Sequence, residues 1–158
     1  MKANELEYVG FWKRLYAACI DTLLLGLIVW PLLTFYYGSS YWTDDSLVRG
    51  EMDLILSWLF PAVACILFWL KKQATPGKMA IQAKIVDAQT GAAPGLGQCV
   101  LRYITYLLSM LPLGLGLIWV GFDRLKQGWH DKIAGTVVVQ PKNRKPLPVS
   151  FENQDETP

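Results

Sequence analysis

Apolar positions along the chain gather into three long runs separated by charged loops, and the first run sets the class of the protein. Residues 15–37 (LYAACIDTLLLGLIVWPLLTFYY) are 23 residues with a single carboxylate, Asp21. At 1.5 Å per residue a helix of that length reaches roughly 34 Å, enough to cross a bilayer core of roughly 30 Å with some tilt. Trp12, Lys13 and Arg14 stand directly before it as an aromatic-basic anchor for a headgroup layer. Residues 54–70 (LILSWLFPAVACILFWL) predict a second span that returns to Lys71 and Lys72. Pro61 in its middle frees a backbone carbonyl, and a kink is expected there.

The third run, residues 98–122, is broken by Leu111-Pro112-Leu113-Gly114. Its two arms of about twelve residues reach only roughly 18 Å each, about half a membrane. A re-entrant or partly inserted helical hairpin is therefore preferred, with a third full span as the alternative. Between the runs the period changes. Residues 80–88 (AIQAKIVDA) alternate around Ile81, Ala83 and Ile85, and residues 135–140 (GTVVVQ) are short and β-branched. These two segments predict a small β-ribbon at the membrane surface. The fold class is thus an all-α integral membrane protein with two transmembrane helices, a third hydrophobic segment and a small cytoplasmic β-ribbon. Residues 1–14 read as a cytoplasmic lead, 15–140 as the membrane domain, and 141–158, rich in proline and charge, as a disordered cytoplasmic tail.

Composition agrees but does not decide. Of 158 residues, 53% are hydrophobic and 18% charged, against roughly 45–50% and 25% in soluble domains. Charge placement changes the picture more. Residues 38–53 carry Asp44, Asp45, Glu51 and Asp53 against Arg49, a net of −3, whereas residues 71–102 carry a net of +4. Basic loops stay on the cytoplasmic side, so the N-terminus is expected there, in a multi-pass protein of the bacterial cytoplasmic membrane. Arg124, Lys126, Lys132, Lys142, Arg144 and Lys145 place the C-terminal part on the same side. A net charge of +2 without a basic patch excludes nucleic acid as a partner. Cys19, Cys65 and Cys99, odd in number and widely spaced, read as small buried hydrophobes, not as a disulfide framework or zinc site. The first run exceeds a signal-peptide core and is expected to be retained.

Candidate chemistry centres on Asp21, because an aspartate inside a membrane helix costs roughly 2.5–3.5 kcal/mol. Arg14 shares its helix face but leans away from it. Arg102, at the entry to the third run, is the leading partner, since guanidinium holds a buried carboxylate without losing its charge. A snorkelling anchor is its equal alternative. His130-Asp131 is the one His-Asp adjacency, too little for a metal site or a serine-type triad, and a capping role for Asp131 stands beside a ligand role. Thr75-Pro76-Gly77-Lys78 misses the phosphate-loop pattern, and Gly91, Gly95 and Gly97 miss the dinucleotide pattern.

Arg14-Leu15-Tyr16-Ala17-Ala18-Cys19-Ile20-Asp21, Thr75-Pro76-Gly77-Lys78 leading to Ala83-Lys84-Ile85-Val86-Asp87 and Gly91, Arg102, and His130-Asp131-Lys132-Ile133-Ala134-Gly135-Thr136 together resemble the RDD family of small bacterial membrane proteins. The resemblance covers about residues 10–140. The family is named for one arginine and two aspartates, which match Arg14, Asp21 and Asp131 here. It implies transport of an ion or small ligand, some members resembling cation/proton antiporters. The expectation is a polar cluster of Arg14, Asp21, Arg102 and Asp131, with Asp21 taking a cation or proton and with oligomerisation completing a pathway. The alternative is a non-transporting accessory or assembly subunit of a membrane complex, in which the cluster locks helices together. Expected partners are the lipid bilayer and a second copy or other membrane proteins. No complete catalytic constellation appears, so no enzyme activity, cofactor or metal is expected.

Overall fold

The computed structural model describes residues 5–43, 46, 48–112 and 114–142, with the backbone alone at residue 40. It is mostly helical, with one small sheet. Helix α1, Phe11–Tyr37, begins one turn earlier than its apolar run and so carries Arg14 inside the helix, not in a lead. Only Ala17, Gly26, Val29 and Leu33 are buried along its length, while Leu27 is 73% and Phe35 92% exposed. Large apolar side chains facing outward all along a 27-residue helix fit a lipid solvent, not water. α1 ends at Gly38, whose φ of 73° a residue with a side chain rarely adopts.

The second long helix runs from α2 (Glu51–Asp53) through a π-wound stretch (Leu54–Leu59) into α3 (Phe60–Lys72). The π winding lies directly ahead of Pro61, where an α-turn would press the proline ring on a carbonyl left without its donor; the wider turn relieves that crowding. Gln73, with φ of 57°, ends α3, and Thr75 opens the short helix α4 (Pro76–Ala80). The helix over residues 11–37 and the helical stretch within residues 51–80 are long and apolar enough to cross a membrane.

The third hydrophobic segment is bent. Helix α5 (Leu96–Met110) and the pair formed by α6 (Leu115–Ile118) with a 3₁₀ turn (Trp119–Gly121) meet at 113°. The break falls at Pro112 and at Gly114, whose φ is 76°. Close approach holds the two arms: a Cβ on Gly116 would sit 2.7 Å from the Ser109 Cβ. Helix α7 (Trp129–Ala134) then leads into the last strand.

The sheet differs from the expected ribbon. Strand β2 (Lys84–Asp87) pairs antiparallel with β3 (Thr136–Pro141) in the register Ile85 to Val138 and Val86 to Val137. A third strand, β1 (Leu6–Tyr8), pairs with the other edge of β3, giving the order β1-β3-β2. The polar lead is thus part of the fold, since a two-stranded ribbon is marginal and a third strand satisfies the free edge of β3. Val9, Ile85 and Val138 pack with Trp69, Ala83 and Cys99 into a core joining the sheet to α3 and α5. Of the expected tail, Pro141 completes β3 and the Lys142 N–H donates to the Glu5 carbonyl; residues 143–158 lie outside the described residues.

Candidate functional site

The polar centre of the fold is built around Asp131, which is fully buried. It occupies the third position of α7, where its carboxylate accepts from the Gly128 N–H that opens the helix, at 3.2 Å. Arg14 from α1 and Arg102 from α5 donate to its two oxygens. Every donor group of Arg14 is used: Nη1 on Asp131, Nε on the Val9 carbonyl at 3.0 Å and Nη2 on the Lys126 carbonyl at 2.5 Å. Arg102, 2% exposed, lies over the Trp69 ring at 4.8 Å, with Nε and Nη1 holding no hydrogen bond among the described residues. Burial by itself would raise the Asp131 carboxyl, but the guanidiniums of Arg102 and Arg14 outweigh it and hold the group well below the usual carboxylate range. His130, edge-on to Tyr106 at 4.9 Å, is pushed down to about 3 by burial and is a neutral ring at physiological pH.

Asp21 goes elsewhere. The expected pairing of Asp21 with Arg102 is not formed: Asp21 accepts from the Thr75 hydroxyl at 2.5 Å and from the Gly77 N–H at 2.7 Å. One turn of helix opens with Thr75-Pro76-Gly77, and the carboxylate of α1 takes the backbone donor that such an opening leaves unpaired. The approach is very close, for a Cβ on Gly77 would overlap the Ala17 carbonyl oxygen. A neutral hydroxyl and an amide thus do the work assigned to a cation. The signal was present in the sequence: Thr before Pro is a helix-opening pair, and a helix opening attracts a carboxylate. The structure therefore brings Arg14, Arg102 and Asp131 together and holds Asp21 beside them on a separate contact.

Two further features escape a reading of the sequence. A cavity of about 90 Å³ lies against the cluster, lined by Arg14, Lys78, Arg102 and His130 together with Trp69 and Tyr106, among others. Toward the other end of α1, Asp53, 2% exposed, accepts from the Tyr41 hydroxyl at 2.9 Å, the Ser57 hydroxyl at 2.6 Å and the Arg49 N–H at 2.9 Å. It pins the connection after α1 onto the start of the second helix. Among the described residues no group of three or more His, Cys, Asp or Glu side chains could hold a metal.

An arginine of the first helix thus meets an aspartate of α7, and the RDD family model matches residues 8–135. The chain belongs to the RDD family. Curated relatives of this RDD protein are similar along different lengths. Uncharacterized protein YxaI of Bacillus subtilis (strain 168) is 30% identical over 146 residues, covering 82% of this chain and 95% of the relative. Uncharacterized protein YckC of the same organism is 32% identical over 143 residues, covering 85% and 86%. Uncharacterized protein RP437 of Rickettsia prowazekii (strain Madrid E) is 40% identical over 75 residues, 48% of this chain, which spans only 41% of that relative's length. No solved structure matches the chain.

Proposed function

We propose that this RDD protein is a multi-pass protein of the cytoplasmic membrane that binds an ion or small ligand beside the Arg14–Asp131–Arg102 cluster and carries it across the bilayer as an oligomer. The observation that carries this reading is the charged cavity: Lys78 and the unused donors of Arg102 add cationic groups that a purely structural lock does not need. So few helices hardly enclose a pathway alone, and the outward apolar faces of α1 leave room for a second copy. Asp21, expected to take a cation or proton, has donors on both oxygens, which favours the cavity over Asp21 as the place of binding. Orientation follows charge, with the −3 loop outside and the +4 region inside. The third segment re-enters in this reading, because β1, β2 and β3 share one sheet and a single crossing between β2 and β3 would separate them.

An accessory or assembly subunit is the second reading. It is favoured by the dryness of Asp131 itself, which is fully buried and answered by two guanidiniums and an amide. Flux in liposomes separates the two. Purified protein is reconstituted and assayed with a panel of protons, sodium and small anions, wild type against Lys78→Met. The transport reading expects flux of one panel member that Lys78→Met abolishes in a folded, inserted protein. Absence of flux for the whole panel leaves the accessory reading.

A further inference from the structure

The cavity beside the cluster carries more positive charge than the cluster neutralises. Its lining brings Arg14, Lys78 and Arg102 together and includes no carboxylate. Asp131 stands behind Arg14 and Arg102, and Asp21 is engaged by Thr75 and Gly77. Three cations therefore face two carboxylates, one charge short of balance in an apolar surrounding. An uncompensated charge in such a place is costly, and natural sites answer it with a partner.

The unanswered donors are identifiable. Lys78, half-buried, forms no ion pair or hydrogen bond among the described residues and lies 6.0 Å from the centre of the Trp69 ring. Arg102 Nε and Nη1 and Trp69 Nε1 are buried without partners among the described residues, and both residues line the cavity, as Lys78 does. Ammonium, guanidinium and indole N–H are donors only, so together they offer nothing to a cation and much to an acceptor. His130 adds a neutral ring, whose Nδ1 also lacks a partner among the described residues. A volume of about 90 Å³ has room for several water molecules, or for a halide or small oxyanion.

We propose that this cavity is a binding site for a small anion, of halide, carboxylate or phosphate size, held between the Lys78 ammonium and the free side of the Arg102 guanidinium. The identity of the cargo then rests on the transport reading above, whereas binding itself does not. Free anions and the phosphate of a lipid headgroup share this chemistry, and the two sources are separated by the measurement.

The full chain, purified in neutral detergent, is titrated with chloride, acetate and inorganic phosphate at constant ionic strength against gluconate, a much bulkier anion. Thermal stability and direct calorimetric binding are both read. Wild type should show saturable stabilisation by at least one small anion, and Lys78→Met should raise the midpoint roughly tenfold or more, the loss of one charge-assisted hydrogen bond. Lys78→Arg should retain the response. A parallel titration in nanodiscs of neutral lipid, with and without phosphatidylglycerol, separates the sources. Competition by the anionic lipid supports the site with a headgroup as its occupant, and an unchanged response supports a free anion. No saturable response of wild type to any anion overturns the proposal even if Lys78→Met fails to fold, as does an equal response of wild type and Lys78→Met. Because binding is read without flux, a bound anion with no transport would overturn the transport reading alone.

Discussion

Asp131 is the side chain on which the described polar network turns, since it answers two arginines that reach it from 117 and 29 positions upstream. Removing it leaves both guanidiniums buried without a counter-charge. Asp131→Asn is expected to cost about 3–5 kcal/mol of stability in detergent, the usual penalty for breaking a buried ionic contact on one side. Arg102→Leu and Asp131→Leu should each destabilise, and their combination should recover part of the summed loss. Arg102→Leu with Asp21→Leu should instead be additive, because the described contacts of Asp21 are with Thr75 and Gly77. A strong non-additive term for Asp21 with Arg102, in thermal or denaturant unfolding, would show that these two residues do meet.

Among the elements, the joint that holds the helices in place is the seat of α4 on α1. Thr75 and Gly77 grip Asp21, and Gly77 lies against the Ala17 carbonyl with no space for a side chain. Gly77→Ala must push α4 away from α1, and overpacking of this kind costs about 1–3 kcal/mol. It should also lengthen the two hydrogen bonds to Asp21 and displace Lys78 on the next position. The check is thermal stability of Gly77→Ala beside that of Gly97→Ala, where a Cβ meets nothing within 4 Å and little change is expected. Equal losses at both positions would mean that the tight seat is not what Gly77 provides.

For the molecule as a whole, the sheet ties three distant parts of the chain together. Because β1 and β2 both flank β3, the chain before α1, the loop after α4 and the chain after α7 must meet on one side of any membrane that α1 and the second helix cross. In a background lacking Cys19, Cys65 and Cys99, Glu5→Cys and Lys142→Cys should be protected from an impermeant thiol reagent in intact cells, while Ser46→Cys should be labelled. Labelling at Lys142→Cys with protection at Glu5→Cys would exclude the shared sheet.

Two helices long and apolar enough to span a membrane, the broken third segment and the pairing of residues around Ile85 with those around Val138 were all legible in the chain. Each depends on run length, period or a breaker such as Pro112, properties that neighbouring residues settle among themselves. The polar lead was misjudged because Leu6–Tyr8 is too short to show a period, and only the open edge of β3 makes it a strand. Partner choice in the cluster was decided by tertiary structure alone. Asp131 meets Arg14 across 117 positions and Arg102 across 29. Asp21 turned instead to a hydroxyl and an amide 54 and 56 positions away. A sequence shows that an acid inside an apolar run needs a donor, because the cost of leaving it bare is local. Which donor it gets depends on what the folded chain brings within about 3 Å, and that distance exists only once the helices have packed.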